Sequence, residues 1–197
     1  MTEPLSPTAL DTIFREARSY NGWLDKPVSD DEIRQIYELT KMGPTSANQQ
    51  PGRFVWVRSD EAKRKLADCA DEGNKDKILG APATVIIGYD LDFHEQLPWL
   101  FPHTDAKSWF EADEDGRRES AFRNSALQGA YLIIAARAIG LDCGAMSGFD
   151  QDKTTQAFFA DQPRYRADWL CSIGHGDPTS IYDRSPRPEF DTFNKVV

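Results

Sequence analysis

Cysteine is scarce in this chain: Cys69, Cys143 and Cys171 are the only three in 197 residues, widely spaced and without a CxxC pair. Such an odd, scattered set does not read as the disulfide framework of a secreted domain, and reduced thiols are expected. Each is either a small core hydrophobe or, at Cys143, a candidate nucleophile. Histidine is equally rare. His94 and His103 lie in an acidic stretch with Pro98 and Pro102 between them and no sulfur ligand nearby. They read as surface side chains rather than a metal pair, and no metal is expected. His175, after Gly174, reads as a turn residue. No apolar run approaches the roughly 20 residues that a membrane-spanning helix needs. The first residues, Met1 to Phe14, carry acids in place of a signal peptide's basic and apolar regions, so a cytoplasmic location is expected. Positive charge is in deficit, with 23 Lys and Arg against 32 Asp and Glu and a net charge of -9. That field repels phosphate backbones and argues against nucleic acid, while leaving room for a local basic pocket. No GxGxxG follows a strand, so a dinucleotide fingerprint is not expected.

What is present is enough for one α+β domain over 1–197. Ser6-Pro7 reads as a helix start, followed by Leu10, Ile13 and Phe14 at helical spacing. Ser29 and Glu32 form a capping box before Ile33 and Ile36, and Gly43-Pro44 ends that helix. Phe54 to Val57 and Ala83 to Tyr89 read as strands. Ser59 starts a further helix. Residues 91–119 combine prolines, acids and aromatics without a period, so they read as a long loop, a lid or an insertion. From Ser120 to Ala138 a helix is apolar over much of its circumference, which calls for burial from several sides or against a second subunit. Asp142 to Met146 reads as a short strand or loop, Asp150 caps another helix, and Trp169 to Ile173 is the last core strand. The tail, 182–197, is an extension with no core of its own.

Three segments carry chemistry. Arg18-Ser19-Tyr20-Asn21 offers a guanidinium and a hydroxyl, suited either to a phosphate or to a helix end's dipole. Pro44 to Pro51 is a run of amides and hydroxyls, which serves either as an ordinary turn-rich connection or as a partner for a heteroaromatic ring. Gly140 to Phe149 is small and glycine-rich, so that backbone can approach a flat ligand.

In this order, together with Arg187, the segments resemble the nitroreductase family of flavoproteins over about Thr12 to Phe193. ARSYNGWLDKPV, GPTSANQQPGRFVWVRS and RSPRPEFD are similar to its RutE/HadB branch, associated with malonic semialdehyde reduction in pyrimidine degradation. The resemblance implies a central, mainly antiparallel sheet flanked by helices, a nitroreductase-like α/β sandwich, with the C-terminal extension reaching a partner subunit. It implies a homodimer with FMN at the interface and NADH or NADPH as co-substrate. Arg18 and Arg187 would hold the FMN phosphate, with Ser19 and Asn21 supporting it. Thr45, Ser46 and Asn48 would contact the ring, and Ala145, Met146, Ser147 and Gly148 would lie along it, with Gln128 on the preceding helix. Two departures stand out: Asn21 replaces a frequent second arginine, and Gly52 replaces a frequent aromatic. No side chain is expected to be catalytic, since flavin N5 carries the hydride in a ping-pong cycle. Trp99, Phe101, Trp109 and Phe110 are expected either to form a substrate-selecting lid or to line a dimer-surface excursion. The expected reaction is reduction of malonic semialdehyde (3-oxopropanoate) to 3-hydroxypropanoate. The alternatives are a broad nitroreductase or quinone reductase, a non-catalytic flavin carrier or sensor, and a Cys143-dependent hydrolase.

Overall fold

A computed structural model describes residues 3–197; Met1 and Thr2, the start of the acidic N-terminal stretch, lie outside the described residues. The elements run as helix α1 (Pro7–Leu10), continued by a wider π turn over Asp11–Arg15, then α2 (Asp30–Thr40) and strand β1 (Gly52–Val57). They continue as α3 (Asp60–Ala67), α4 (Glu72–Gly80), β2 (Ala83–Asp90), α5 (Leu97–Leu100) and α6 (Glu114–Ala138). The last four are β3 (Asp142–Met146), α7 (Gln151–Phe158), β4 (Tyr165–Gly174) and α8 (Phe190–Phe193). Among the described residues no helix is long and apolar enough to cross a membrane.

The expected caps form. Ser6 accepts from Ala9 N–H, Ser59 from Ala62 N–H and Asp150 from Lys153 N–H, and Ser29 with Glu32 closes a full capping box. Each satisfies N–H groups that the first helical turn cannot pair internally. Helix α6 ends where Gly140 takes φ +86°, a conformation that costs glycine little.

The four strands form one antiparallel sheet in the order β1-β2-β4-β3. Alternation along β2 divides the core. Ala83, Val85 and Ile87 pack with Ile36 of α2 and Leu132, Ala135 and Ala136 of α6. Ile86 packs on the opposite face with Leu66 of α3, Ile78 of α4 and Phe159 after α7. The result is an α+β sandwich with helices on both sheet faces. Gly129 sets the closest approach of α6: a Cβ there would fall 2.1 Å from the Trp169 ring.

Three expectations are corrected. Residues 91–119 do not form an open loop. Phe93, Leu97, Ala106 and Ala121 make a satellite core, and α6 begins at Glu114, with Asp113 as its cap, rather than at Ser120. His94 is buried there instead of lying on the surface; burial, with Arg117 nearby, pushes its imidazole pKa down. Strand β4 starts at Tyr165, four residues before the expected Trp169. Helix α4 adds an element that its polar sequence did not announce.

The early part of β4 contains a bulge. Trp169 pairs with Ile87 and Ala167 with Gly88, so Asp168 is the extra residue. Helix α7 completes the interrupted ladder: Gln151 Nε2 donates to Asp168 O at 2.8 Å, and Thr155 Oγ1 accepts from Ala167 N–H at 2.9 Å. The Asp168 carboxyl is 6% exposed, and burial pushes its pKa up to about 6, against a hydrogen bond from Ser125. A raised carboxyl pKa favours the fold below the unfolded value near 4 and is a net cost once pH exceeds about 6. Asp168→Asn should therefore stabilise the protein at pH 8 by roughly 1–3 kcal/mol and leave it unchanged near pH 4. Thermal unfolding of both proteins across that range checks this; a constant difference at every pH would remove the ionisation argument.

Candidate functional site

The 45–52 loop is held by one side of α6. Ser46 N–H donates to Asn124 Oδ1 at 2.8 Å, and Gln49 Nε2 donates to Ser120 Oγ at 3.0 Å. Gly52 N–H donates to Gln128 Oε1 at 2.7 Å, while Gln128 Nε2 donates to Gln50 Oε1 at 2.6 Å. Residues 120, 124 and 128 are one turn apart, which places them in a line along the helix. Thr45 Oγ1 accepts from Gln50 N–H. Ala47, Asn48 and Gln50 all have φ between 42° and 48°, so three non-glycine residues occupy the left-handed region. Such strain persists only where the surroundings over-determine the backbone. Gln128, expected on the helix before the strip, acts here as the loop's clamp. Asn48 Nδ2 donates to Leu100 O, tying the loop to residues 91–119, and Asn48 and Trp99 line a shared cavity of about 470 Å³.

Of the four aromatics in that segment, Trp99 and Trp109 are 76% and 58% exposed. Phe101 and Phe110 pack into the satellite core, with the Phe110 ring 4.9 Å from that of Phe93. Phe101 and Phe110 thus also support the segment from within.

A second grouping lies at the other end of the sheet. Arg18, Ser19, Asn21 and Arg187 line one cavity of about 590 Å³. The tail enters it through its own chain: Arg18 donates to Tyr182 O, and Arg184 Nη2 donates to Ala17 O at 3.2 Å. Residues 182–187 therefore lie against the N-terminal segment of the same subunit, and the exposed remainder carries Phe190 and Phe193. The Asn21 amide is committed to Ser180 O at 3.0 Å.

Sequence reasoning missed Arg137 and Arg184, which line the same cavity. Arg137 was hidden in the apolar run that ends α6; a lone cation in that last turn was the available signal. Among the described residues Arg18, Arg137, Arg184 and Arg187 form no ion pair. With Arg15, which pairs with Asp11, they outnumber Asp183, the one carboxylate lining the cavity, so the cavity is locally positive in a chain of net charge -9.

The glycine-rich strip adjoins this cavity. β3 is an edge strand, Ser19 bridges to Cys143, and Tyr20 N–H donates to Cys143 O at 3.0 Å. Ala145 and Ser147 are exposed, alternating with buried Met146. Gly148 is fixed from behind, its carbonyl accepting from Asp71 N–H and from Asn74 Nδ2. Cys143 lies within the core, and Cys171, beside it and buried, has its thiol pKa pushed up by that neighbour and by burial. Neither is presented as a nucleophile. Among the described residues no group of three His, Cys, Asp or Glu side chains is placed to hold a metal.

Within one chain, then, the arginine cavity meets β3 through Ser19, which bridges to Cys143, while Asn48 and Gln50 of the 45–52 loop line a different cavity. Gln128→Leu should cost about 1–3 kcal/mol by leaving Gly52 N–H unpaired. It should also accelerate hydrogen exchange at that amide; exchange unchanged from the wild type would show that the clamp is not needed.

Comparison with known proteins is consistent with this geometry. A Stenotrophomonas maltophilia protein with the provisional name NADH dehydrogenase/NAD(P)H nitroreductase is 56% identical over 197 residues, covering 100% of both chains. Among solved structures, a nitroreductase-type protein of Bacillus subtilis superposes with a TM-score of 0.88 at 21% identity, covering 98% of this chain and 100% of the other. A second, from Exiguobacterium sibiricum and in complex with FMN, gives 0.85 at 22% identity with 100% of both chains covered. These likenesses identify the fold as nitroreductase-like. Residues 14–176 match the nitroreductase family itself, and the chain belongs to that family.

Proposed function

We propose that the protein is an FMN-dependent NAD(P)H oxidoreductase of the cytoplasm, working as a homodimer whose single domain carries the 91–119 segment as a lid. The observation that carries this reading is the arginine cavity opening beside the small, exposed strip of β3. A phosphate monoester suits those unpaired guanidiniums, and a flat ring suits a strip where Ala145 and Ser147 face outward. The residues present fit FMN on both counts. Bound FMN supplies a ring that takes hydride from a nicotinamide and passes it to a second substrate at N5.

The chain's own residues then bind, orient and enclose. Arg18 and Arg187 hold the phosphate, with Ser19 beside them; Asn21 braces the 180 region instead of adding charge. Met146 anchors the strip from the core side, and Gly148 closes it against α4. Thr45, Ser46 and Asn48 contribute from the clamped loop, whose rigidity keeps their polar groups in place without reorganisation. Trp99 and Trp109 exclude water and select the substrate from the lid.

That the loop and the arginines line different cavities within one chain supports a site built from two copies. So does α6, which exposes Leu127, at 48%, and Tyr131 one turn later on the same face. Leu127→Arg should shift the protein from twice 22.2 kDa to a monomer in sedimentation and lower FMN affinity with it. A monomeric variant that binds FMN as tightly as the wild type would dispose of the shared site.

For the second substrate, the branch-like motifs favour 3-oxopropanoate, whereas the name carried by the 56% identical relative favours nitroaromatic or quinone acceptors. Anaerobic NADH or NADPH should bleach the flavin bands, and kcat/KM should be at least tenfold higher for 3-oxopropanoate than for a nitroaromatic or quinone. The reverse ranking would select the broad reductase, and a flavin that never bleaches would select the carrier.

A further inference from the structure

Asn21 stands where a second arginine is expected, and its amide is already used on Ser180 O. The cavity that would hold the phosphate nevertheless contains another guanidinium close by, delivered from the last turn of α6. Arg137 Nη1 donates to Ile13 O at 3.1 Å, which orients the guanidinium plane. Its Nε is buried without a hydrogen-bond partner, a costly condition for a donor, and its Nη2 makes no hydrogen bond while remaining open at the cavity. No carboxylate among the described residues pairs with it. The bond to Ile13 O alone accounts for Nη1 and leaves the rest of the group unexplained.

We propose that Arg137 supplies the charge to the flavin phosphate that Asn21 does not, an inference that rests on the FMN reading above. A helix C-terminus carries partial negative charge, so a cation in the last turn of α6 also shields the phosphate from that end. Arg184 lines the same cavity from the exposed tail, where solvent screens its charge, so the half-buried Arg137 contributes more.

The test compares FMN with riboflavin, which has the same ring and ribityl chain and no phosphate. Dissociation constants are measured by flavin fluorescence for the wild type, Arg137→Gln and Arg137→Lys, with thermal midpoints recorded alongside. Arg137→Gln should weaken FMN by about 10- to 100-fold and leave riboflavin unchanged. Arg137→Lys, which keeps the charge, should recover most of the FMN affinity. An equal loss for both flavins would assign Arg137 to holding the Ile13 segment and overturn the proposal, as would FMN affinity unaffected by Arg137→Gln. A wild type that fails to prefer FMN over riboflavin would bring down the FMN reading itself, and this inference with it.

Discussion

Gln128 is almost wholly buried and uncharged, so the hydrogen bonds of its amide have to be made inside the protein. It makes them with Gly52 and Gln50, and through them the strained 45–52 loop acquires one position. Asn124 and Ser120 repeat the arrangement one and two turns earlier. Without this polar line three left-handed non-glycine residues would relax, β1 would lose its fixed start at Gly52, and Asn48 would no longer meet the 91–119 segment at Leu100. The clamp is neutral throughout, so its hold on the loop does not change with pH.

Much of the architecture could be read from residues whose effect is local. Ser29 with Glu32, Ser59, Asp150 and Gly140 mark helix ends because a cap satisfies nearby backbone groups whatever the rest of the chain does. The unbroken apolar run from Ala83 marks β2 for the same kind of reason. Where an element depends on distant partners, sequence said less. Helix α4 is polar almost all round and buries only Ile78, so it exists through its contacts with α3 and its hold on Gly148. Strand β4 was shortened because Arg166 and Asp168 break its apolar pattern, and the bulge that accommodates Asp168 requires α7 to supply its missing bonds. The satellite core of 91–119 draws on Phe93, Leu97, Ala106 and Ala121, whose spacing follows no period, and it buries His94 in passing.

The candidate site followed the same division. Arg18, Ser19, Asn21 and Arg187 were legible as a set, and the structure gathers them in one cavity. Arg137 was not legible, since its neighbours Ala135 and Ala136 are core residues and a cation among them reads as dipole compensation. Gln128 was named from the resemblance, but its hold on Gly52 and Gln50 was not legible, because helical spacing tells which face a residue occupies and not what lies across from it. Phe101 and Phe110 were grouped with Trp99 and Trp109 on composition alone, while burial separates them.

Helix α6 joins these observations mechanically. From Ser120 at the loop clamp to Arg137 at the arginine cavity it runs about 25 Å. Near its middle Gly129 rests so closely on Trp169 that no larger side chain fits. The helix is therefore a stiff bar pinned at a fulcrum: a displacement at one end is answered at the other, and neither end can be adjusted alone by changing the bar. Freedom to adapt lies in the parts fastened to it, the 91–113 stretch on one side and the tail from Tyr182 on the other.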